Sequence, residues 1–351
     1  MSAPPSPFQP LASVDRPRDQ LGRPLHDLRI SVMDRCNFRC PYCMPDTTYG
    51  EHFQFLRNDE RLSFDEVERL ACIATSLGVT KLRLTGGEPL LRPRLAELVS
   101  RLRRLDGVED LAMTTNGVLL ARHAKELRAA GLDRVTISLD TLDPAVFHRL
   151  SGGRGALEDV TAGIDAARSA GFPKGIKLNA VIQRGVNDHA ALDLIERFRG
   201  SGIVVRFIEY MDVGNRNAWA SEDVVPSREL IERIDARWPL ESIPAQHQGE
   251  VAARYRFRDG VGEVGLISSI SNPFCGGCSR ARLSSEGVLY TCLFATSGAD
   301  LRKPLREGAS DDDLRDLLRK VWLGRTDRYS EERAARRRQS PRKIEMHYIG
   351  G

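Results

Sequence analysis

From residue 27 onward the chain alternates two hydrophobic rhythms. Short β-rich runs stand at LRISV (28–32), KLRLT (81–85), LAMTT (111–115), VTISL (135–139), IKLNAVI (176–182) and VVRFIEY (204–210), and between them apolar residues return every three or four positions. The helical rhythm is clearest after Ser63, where Glu66 completes a capping box, Val67, Leu70, Ile73, Ala74 and Leu77 repeat at helical spacing, and Gly78 ends the pattern. Further helices are expected at 94–105, 119–130, 157–170 and 189–199. Six strand-helix repeats in this order predict an α/β fold with a parallel sheet, curved or closed.

Beyond residue 210 the alternation stops. A helix opened by Pro226-Ser227 (227–238) precedes two strands, 252–257 and 263–267, joined at the hairpin signal Asp259-Gly260, and a last helix covers 312–322. Gly260, Gly262 and Gly265 spell GxGxxG, but between antiparallel strands instead of at the start of a helix, so they do not mark a dinucleotide site. Six of the 18 prolines fall in the first 24 residues, which lack apolar periodicity. These shifts divide the chain into a flexible Pro-rich arm (1–24), a barrel (25–220), a C-terminal domain (221–325) and a charged tail ending in Gly-Gly (326–351).

Composition narrows the class. With 351 residues, 41% hydrophobic and 28% charged, the chain can bury a large core, and 52 Lys+Arg against 48 Asp+Glu exclude a polycation. The start, MSAPPSPFQP, has no apolar signal region, and no apolar run reaches the roughly 18–20 residues that span a bilayer. The expectation is a cytoplasmic protein with no membrane partner. No nucleic-acid partner is expected either, because the run Arg336 to Arg338 lacks interleaved aromatics and reads as a solvated helix face.

The cysteines add chemistry. Six of the seven fall in two triples, and Cys72 stands apart on the Ser63 helix as a core residue. Cys36, Cys40 and Cys43 (C-x3-C-x2-C) follow the first strand directly; three thiolates on one loop can hold an iron-sulfur cluster by three of its irons, leaving the fourth open. Cys275, Cys278 and Cys292 (C-x2-C-x13-C) repeat the arrangement. A zinc site is the alternative for each triple, completed by a distant histidine, His247 or His347 in the second case. The second strand ends in Thr85-Gly86-Gly87-Glu88-Pro89, which offers close backbone approach and a carboxylate for an ammonium group. Arg280 and Arg282 share one face if their segment is extended, and two such forks match phosphate oxygens. Arg29, Lys81, Arg83, Lys177 and Arg206 lie on strands, where repeated charges inside a barrel need a common anionic ligand or individual salt bridges.

The first cysteine motif, with Tyr42 inside it, and the GGEP segment resemble the signatures of the radical S-adenosylmethionine (SAM) enzymes. The resemblance implies an incomplete (βα)6 TIM-type barrel whose open side is closed by the C-terminal α+β extension, with ligand-facing residues at the C-terminal ends of the strands. It also implies that Cys36, Cys40 and Cys43 carry a 4Fe-4S cluster whose open iron chelates SAM, that reductive cleavage gives a 5′-deoxyadenosyl radical, and that Tyr42, Gly87, Glu88, Ser138 and Met211 contact SAM. Within the superfamily, CGGCSRARL, RFIEYMDVGNRNAW and the terminal Gly350-Gly351 resemble the branch that cyclises GTP at the start of molybdenum cofactor biosynthesis.

That narrower resemblance implies a second 4Fe-4S cluster on Cys275, Cys278 and Cys292 whose open iron binds guanine, with the triphosphate held by Arg29, Lys81, Arg83, Lys177, Arg206, Arg280 and Arg282, and Thr114 at the nucleotide. Cys36, Cys40, Cys43, Arg280, Arg282, Gly350 and Gly351 are then the catalytic candidates, the last two as a tail reaching into the site. The implied reaction joins C3′ of GTP to C8, giving 3′,8-cyclo-7,8-dihydro-GTP. The implied partners are an external one-electron reductant, a second copy of the chain, and a cyclic pyranopterin monophosphate synthase that takes the product. Two rivals remain: a radical SAM enzyme with an auxiliary cluster acting on a peptide, and a metal-bound nucleotide-binding regulator without turnover.

Overall fold

The computed structural model describes residues 16–246, 249–338 and 342–350. The six expected strands are β1 (Asp27–Ser31), β2 (Lys81–Thr85), β3 (Asp110–Thr115), β4 (Arg134–Ser138), β5 (Ile176–Ile182) and β6 (Val204–Glu209), each parallel to the next. The helices between them are α1 (Phe64–Ser76), α2 (Leu95–Arg103), α3 (Leu120–Ala129), α4 (Pro144–Leu150), α5 (Leu157–Ala170) and α6 (Ala190–Phe198). Helix α1 starts where its capping box dictates: Glu66 N–H donates to the Ser63 hydroxyl (3.1 Å) and Ser63 N–H to the Glu66 carboxylate (2.7 Å). Its Val67, Leu70, Ile73 and Ala74 are buried, and Cys72 is buried with them. Helix α4 was not expected, because seven residues with only Phe147 and Leu150 buried make no periodic signal; Asp143 caps it.

The C-terminal region does not stand apart from this sheet. Its strands are β7 (Leu240–Ile243), β8 (Ala253–Phe257), β9 (Glu263–Ile267), β10 (Arg280–Leu283), β11 (Val288–Tyr290) and β12 (Ala299–Asp300), and it adds helices α7 (Ser227–Asp235), α8 (Arg302–Arg306), α9 (Asp311–Leu323) and α10 (Tyr329–Arg338). Strand β9 pairs parallel with β6, and β10 pairs parallel with β1. The sheet therefore runs β12-β11-β10-β1-β2-β3-β4-β5-β6-β9-β8-β7, with parallel strands from β10 to β9 and antiparallel ones at both ends. Among the described residues it does not close, as an incomplete barrel requires. The extension lengthens both edges, and residues 268–279 cross from one edge to the other.

Two expected boundaries shift. Residues 16–24 are not part of a flexible arm: Asp19 and Arg23 are buried, and the Trp322 indole donates to the Arg23 carbonyl (3.1 Å). The charged tail begins with α10, which docks through Tyr329 and Arg333 onto Asp212 (2.6 and 2.8 Å). Arg336 and Arg337 are exposed, as a solvated helix face predicts.

Candidate active site

The first cysteine triple lies beyond the C-terminal end of β1. Arg39, buried beneath it, donates to the carbonyls of Cys36 (2.8 Å), Phe38 (2.8 Å) and Tyr49 (2.7 Å), which fixes the curl of the loop. The GGEP turn is seated on the same loop: Gly87 N–H donates to the Met33 carbonyl (2.7 Å) and Glu88 N–H to the Arg35 carbonyl (2.8 Å). A Cβ on Gly87 would stand 2.2 Å from the Arg35 carbonyl oxygen, and one on Gly86 2.4 Å from that of Met33. The glycines thus admit the cysteine loop itself, a closer requirement than the ligand approach read from the sequence.

Glu88 is similarly committed within the fold. Its carboxylate accepts from Leu90 N–H (3.0 Å), the Thr115 hydroxyl (2.8 Å) and Asn116 N–H (2.8 Å), and burial pushes its pKa up to about 7. Tyr42 donates its hydroxyl to Asp140 (2.8 Å), whose own pKa burial pushes up to about 6. Asp140 and Asn116, which reaches Asn37 (2.7 Å) and Cys36 Sγ (3.8 Å), lie in strand-end segments that the sequence marks as ligand-facing, but it gives neither residue a role.

One cavity of about 810 Å³ runs from this loop through the barrel. It is lined by all six cysteines of the two triples, by Tyr42, Gly87, Glu88, Ser138, Met211 and Thr114, and by Arg29, Lys81, Arg83, Lys177, Arg206, Arg280 and Arg282. The basic residues lie on the strands as expected, though Lys177, expected at the C-terminal end of its strand, stands near the start of β5. Lys81 and Arg280 open their strands, Lys177 is second, and Arg29, Arg83 and Arg206 are third. They line the middle and lower barrel, space that branched apolar side chains usually fill.

Lys81 pairs with Asp27 (3.3 Å), but among the described residues Arg29, Arg83, Lys177, Arg206 and Arg282 form no ion pair. Arg83 donates to the hydroxyls of Thr114 (2.9 Å) and Thr136 (3.2 Å), and Arg206 to the Asn179 side-chain carbonyl (3.0 Å). Burial, reinforced by neighbouring guanidiniums, pushes Lys177 down to about 7 and Arg206 to about 9, and Arg83 and Arg282 well below the usual arginine range. Such an excess of buried cations suits an anionic ligand in the cavity. Arg134, paired with Asp110 (2.6 Å), also lines it and was not singled out from sequence.

The second cysteine triple closes the opposite end. His26 and Asp27 N–H donate to the Ser279 carbonyl (both 3.0 Å), which seats the 268–279 crossing at the N-terminal end of β1. Cys278 Sγ accepts from Arg280 (3.2 and 3.4 Å) and Arg325 (3.2 Å). Burial raises the Cys278 thiol pKa, but these two cations outweigh it and bring it down to about 6. Burial pushes Cys36 and Cys292 up to about 12, and Cys40 well above the usual thiol range. All six are free thiols.

Among the described residues no three His, Cys, Asp or Glu side chains converge on a single-ion position. A mononuclear zinc needs such a centre, whereas three thiolates of a cluster bind separate irons. His347 packs on Tyr49 (4.7 Å) and its backbone N–H faces Cys43, so it belongs to the first triple, and His247 lies outside the described residues.

The C-terminal segment crosses the upper mouth. Lys343 pairs with Asp212 (2.9 Å), Met346 and His347 line the cavity, and the Gly350 carbonyl accepts from Arg282. Gly350 has φ +68°, and a Cβ there would meet Thr85 Oγ1 at 2.1 Å, so glycine is required. Gly351 lies outside the described residues.

The chain matches the Radical SAM superfamily over residues 30–198 and the Molybdenum Cofactor Synthesis C family over 203–331. It is 55% identical over 335 residues to a GTP 3′,8-cyclase of Xanthomonas campestris pv. campestris (strain 8004), covering 95% of this chain and 97% of that one. A GTP 3′,8-cyclase of Staphylococcus haemolyticus (strain JCSC1435) is 46% identical over 337 residues, covering 95% and 98%. Among solved structures, the radical SAM enzyme coproporphyrinogen III oxidase (HemN) from Escherichia coli aligns over 91% of this chain and 79% of that one, at 14% identity and a TM-score of 0.47.

Proposed function

The chain belongs to the GTP 3′,8-cyclase family of radical SAM enzymes, which acts at the first step of molybdenum cofactor biosynthesis, and from that membership we propose how its cavity converts GTP to (8S)-3′,8-cyclo-7,8-dihydroguanosine 5′-triphosphate. The observation that carries the reading is one cavity with a cysteine triple at each end and, between them, five buried or half-buried cations that form no ion pair among the described residues. When bound, a 4Fe-4S cluster with SAM at Cys36, Cys40 and Cys43 supplies the 5′-deoxyadenosyl radical, and a second at Cys275, Cys278 and Cys292 supplies an iron for the guanine.

The chain's own residues bind and orient. Arg29, Lys81, Arg83, Lys177, Arg206, Arg280 and Arg282 hold the triphosphate, which neutralises the cavity wall. Thr114, already the acceptor for Arg83, stands at the nucleotide. Tyr42, fixed by Asp140, lies with Gly87, Glu88, Ser138 and Met211 at SAM. Gly350, against Thr85 and Arg282, excludes water from the upper mouth, and Gly351 remains a catalytic candidate outside the described residues. The electron comes from an external one-electron donor, the enzyme works as a homodimer in the cytoplasm, and a cyclic pyranopterin monophosphate synthase takes the product. Among the described residues no helix is long and apolar enough to cross a membrane.

Anaerobic preparations are expected to hold about eight irons and about eight sulfides per chain, and to form 5′-deoxyadenosine only when SAM and GTP are both present. Zinc in place of iron, or SAM cleavage indifferent to GTP, overturns the reading.

A further inference from the structure

The two cysteine triples lie in unlike electrostatic surroundings. Around the first, the groups that reach sulfur are neutral: Phe38 N–H to Cys36 Sγ (3.4 Å), the Asn116 amide to the same sulfur (3.8 Å), and the His347 backbone N–H to Cys43. Around the second, Cys292 Sγ likewise accepts from a neutral group, Phe294 N–H (3.4 Å), but Cys278 Sγ accepts from guanidiniums. Arg325 donates to Cys278 Sγ (3.2 Å) and to the Cys278 carbonyl (2.6 Å), and its plane lies over Trp322 (4.6 Å). Only 1% of its side chain is exposed.

Arg23 sits beside it, equally buried. It donates to Asp19 (2.6 Å) and to the carbonyls of Cys275 and Asp327 (both 2.8 Å), while its remaining terminal nitrogen is buried without a partner among the described residues, although the residue lines the cavity. Asp19 is shared with Arg325 (3.5 Å), and Asp327, partly exposed, also pairs with Arg325 (3.3 Å). Counting Arg280 and Lys81, which both face Asp27, four cations face three carboxylates. A buried positive excess with an unsatisfied N–H marks a place for an anion, and an iron-sulfur cluster on thiolates is one.

We propose that Arg325 and Arg23 are positioning residues that raise the reduction potential of the group held by Cys275, Cys278 and Cys292 above that of the SAM-binding cluster. The inference rests on the reading of that triple as an iron-sulfur site. Reduction adds negative charge to a cluster, so N–H donors and fixed cations at its sulfurs stabilise the reduced form more than the oxidised one, and burial keeps that field unscreened. Neutral donors at the first triple do this less. When one electron is shared between the two sites, it rests at the C-terminal one. Arg325 acts through Cys278 and not through substrate.

The test uses the full-length chain, reconstituted anaerobically, with Cys36, Cys40 and Cys43 replaced by alanine. Its midpoint potential is followed by electron paramagnetic resonance in a mediated titration, with iron and sulfide counted on the same samples. In that background Arg325→Gln lowers the midpoint by at least the tenfold change in reduced-to-oxidised ratio, about 59 mV for one electron, and Arg325→Lys keeps most of the parent value. Asp327→Asn, which removes a negative charge from the same cluster of groups, moves the midpoint the opposite way. Arg23→Gln provides the second reading if Arg325→Gln fails to retain iron. A complementary chain with Cys275, Cys278 and Cys292 replaced gives the other midpoint, expected to be lower.

A purely structural role cannot produce opposite shifts. Full iron content with unchanged midpoints in Arg325→Gln and Asp327→Asn, or a higher midpoint at the first triple, overturns the inference while leaving the cluster reading intact. A parent that binds no iron overturns the cluster reading, and the inference with it.

Discussion

Lys177 gives the most quantitative handle on the cationic cavity. Burial, with Arg206 and Arg134 nearby, brings its pKa from 10.5 down to about 7. At about 1.36 kcal/mol per pH unit, holding the proton in the folded chain costs at most about 5 kcal/mol. Above pH 10.5 the lysine is neutral both folded and unfolded, and costs nothing. As pH falls from 10.5 only the unfolded chain holds the proton, so the cost grows; it is complete below pH 7, where both forms are charged. The ammonium is partly exposed, which screens part of this, so about 1–3 kcal/mol of pH-dependent cost is expected between pH 9 and 6.5.

Lys177→Met removes the charge and keeps a stem of similar length. Without GTP, the variant is expected to gain stability over the parent at pH 6.5 and to gain about 1–3 kcal/mol less at pH 9. Guanidinium unfolding of the anaerobic protein, followed by tryptophan fluorescence, measures both. Packing changes from the new side chain are independent of pH, so the difference between the two pH values isolates the charge. GTP affinity is expected to fall about 10- to 100-fold, the loss of one charge-assisted contact of roughly 1.5–3 kcal/mol. A stability gain equal at both pH values, or none at pH 6.5, would refute the reasoning.

Three further outcomes are expected. Gly87→Ala drives a methyl group to 2.2 Å from the Arg35 carbonyl oxygen, so the cysteine loop must move; bound iron should drop to about half while the second triple keeps its share, as a per-chain iron assay would show. Removing Gly350 and Gly351 should abolish cyclisation yet leave iron content and the unfolding midpoint unchanged, whereas full turnover by the truncated chain removes the tail from the mechanism. Asp140→Asn leaves the Tyr42 hydroxyl without its charged acceptor and should weaken SAM binding several-fold, about 1 kcal/mol, with GTP affinity unchanged in equilibrium binding.

The parallel sheet was readable because β1 to β6 repeat short runs with buried apolar residues, such as Leu28 and Ile30, Leu82 and Leu84, and Leu178 and Ala180, between stretches of helical rhythm, and because Ser63 and Glu66 announce α1. Strands β11 and β12, three and two residues long, carry no period, and no local signal tells that β10 pairs with β1, more than 250 residues earlier. The cysteines and the strand cations were legible by spacing and by their unusual position. Their direction was not: a cation on a strand says nothing about which mouth of the barrel it faces. Arg23 and Arg325 were invisible for a related reason. A single arginine in a loop reads as solvent-exposed, and only the tertiary fold buries both beside Asp19.

The central claim is that one cavity brings a SAM-derived radical to the ribose of GTP, and isotope transfer tests it most directly. With GTP deuterated at C3′, anaerobic turnover followed by mass spectrometry should give 5′-deoxyadenosine carrying one deuterium, alongside the cyclised nucleotide. Unlabelled 5′-deoxyadenosine formed at an undiminished rate would contradict the account.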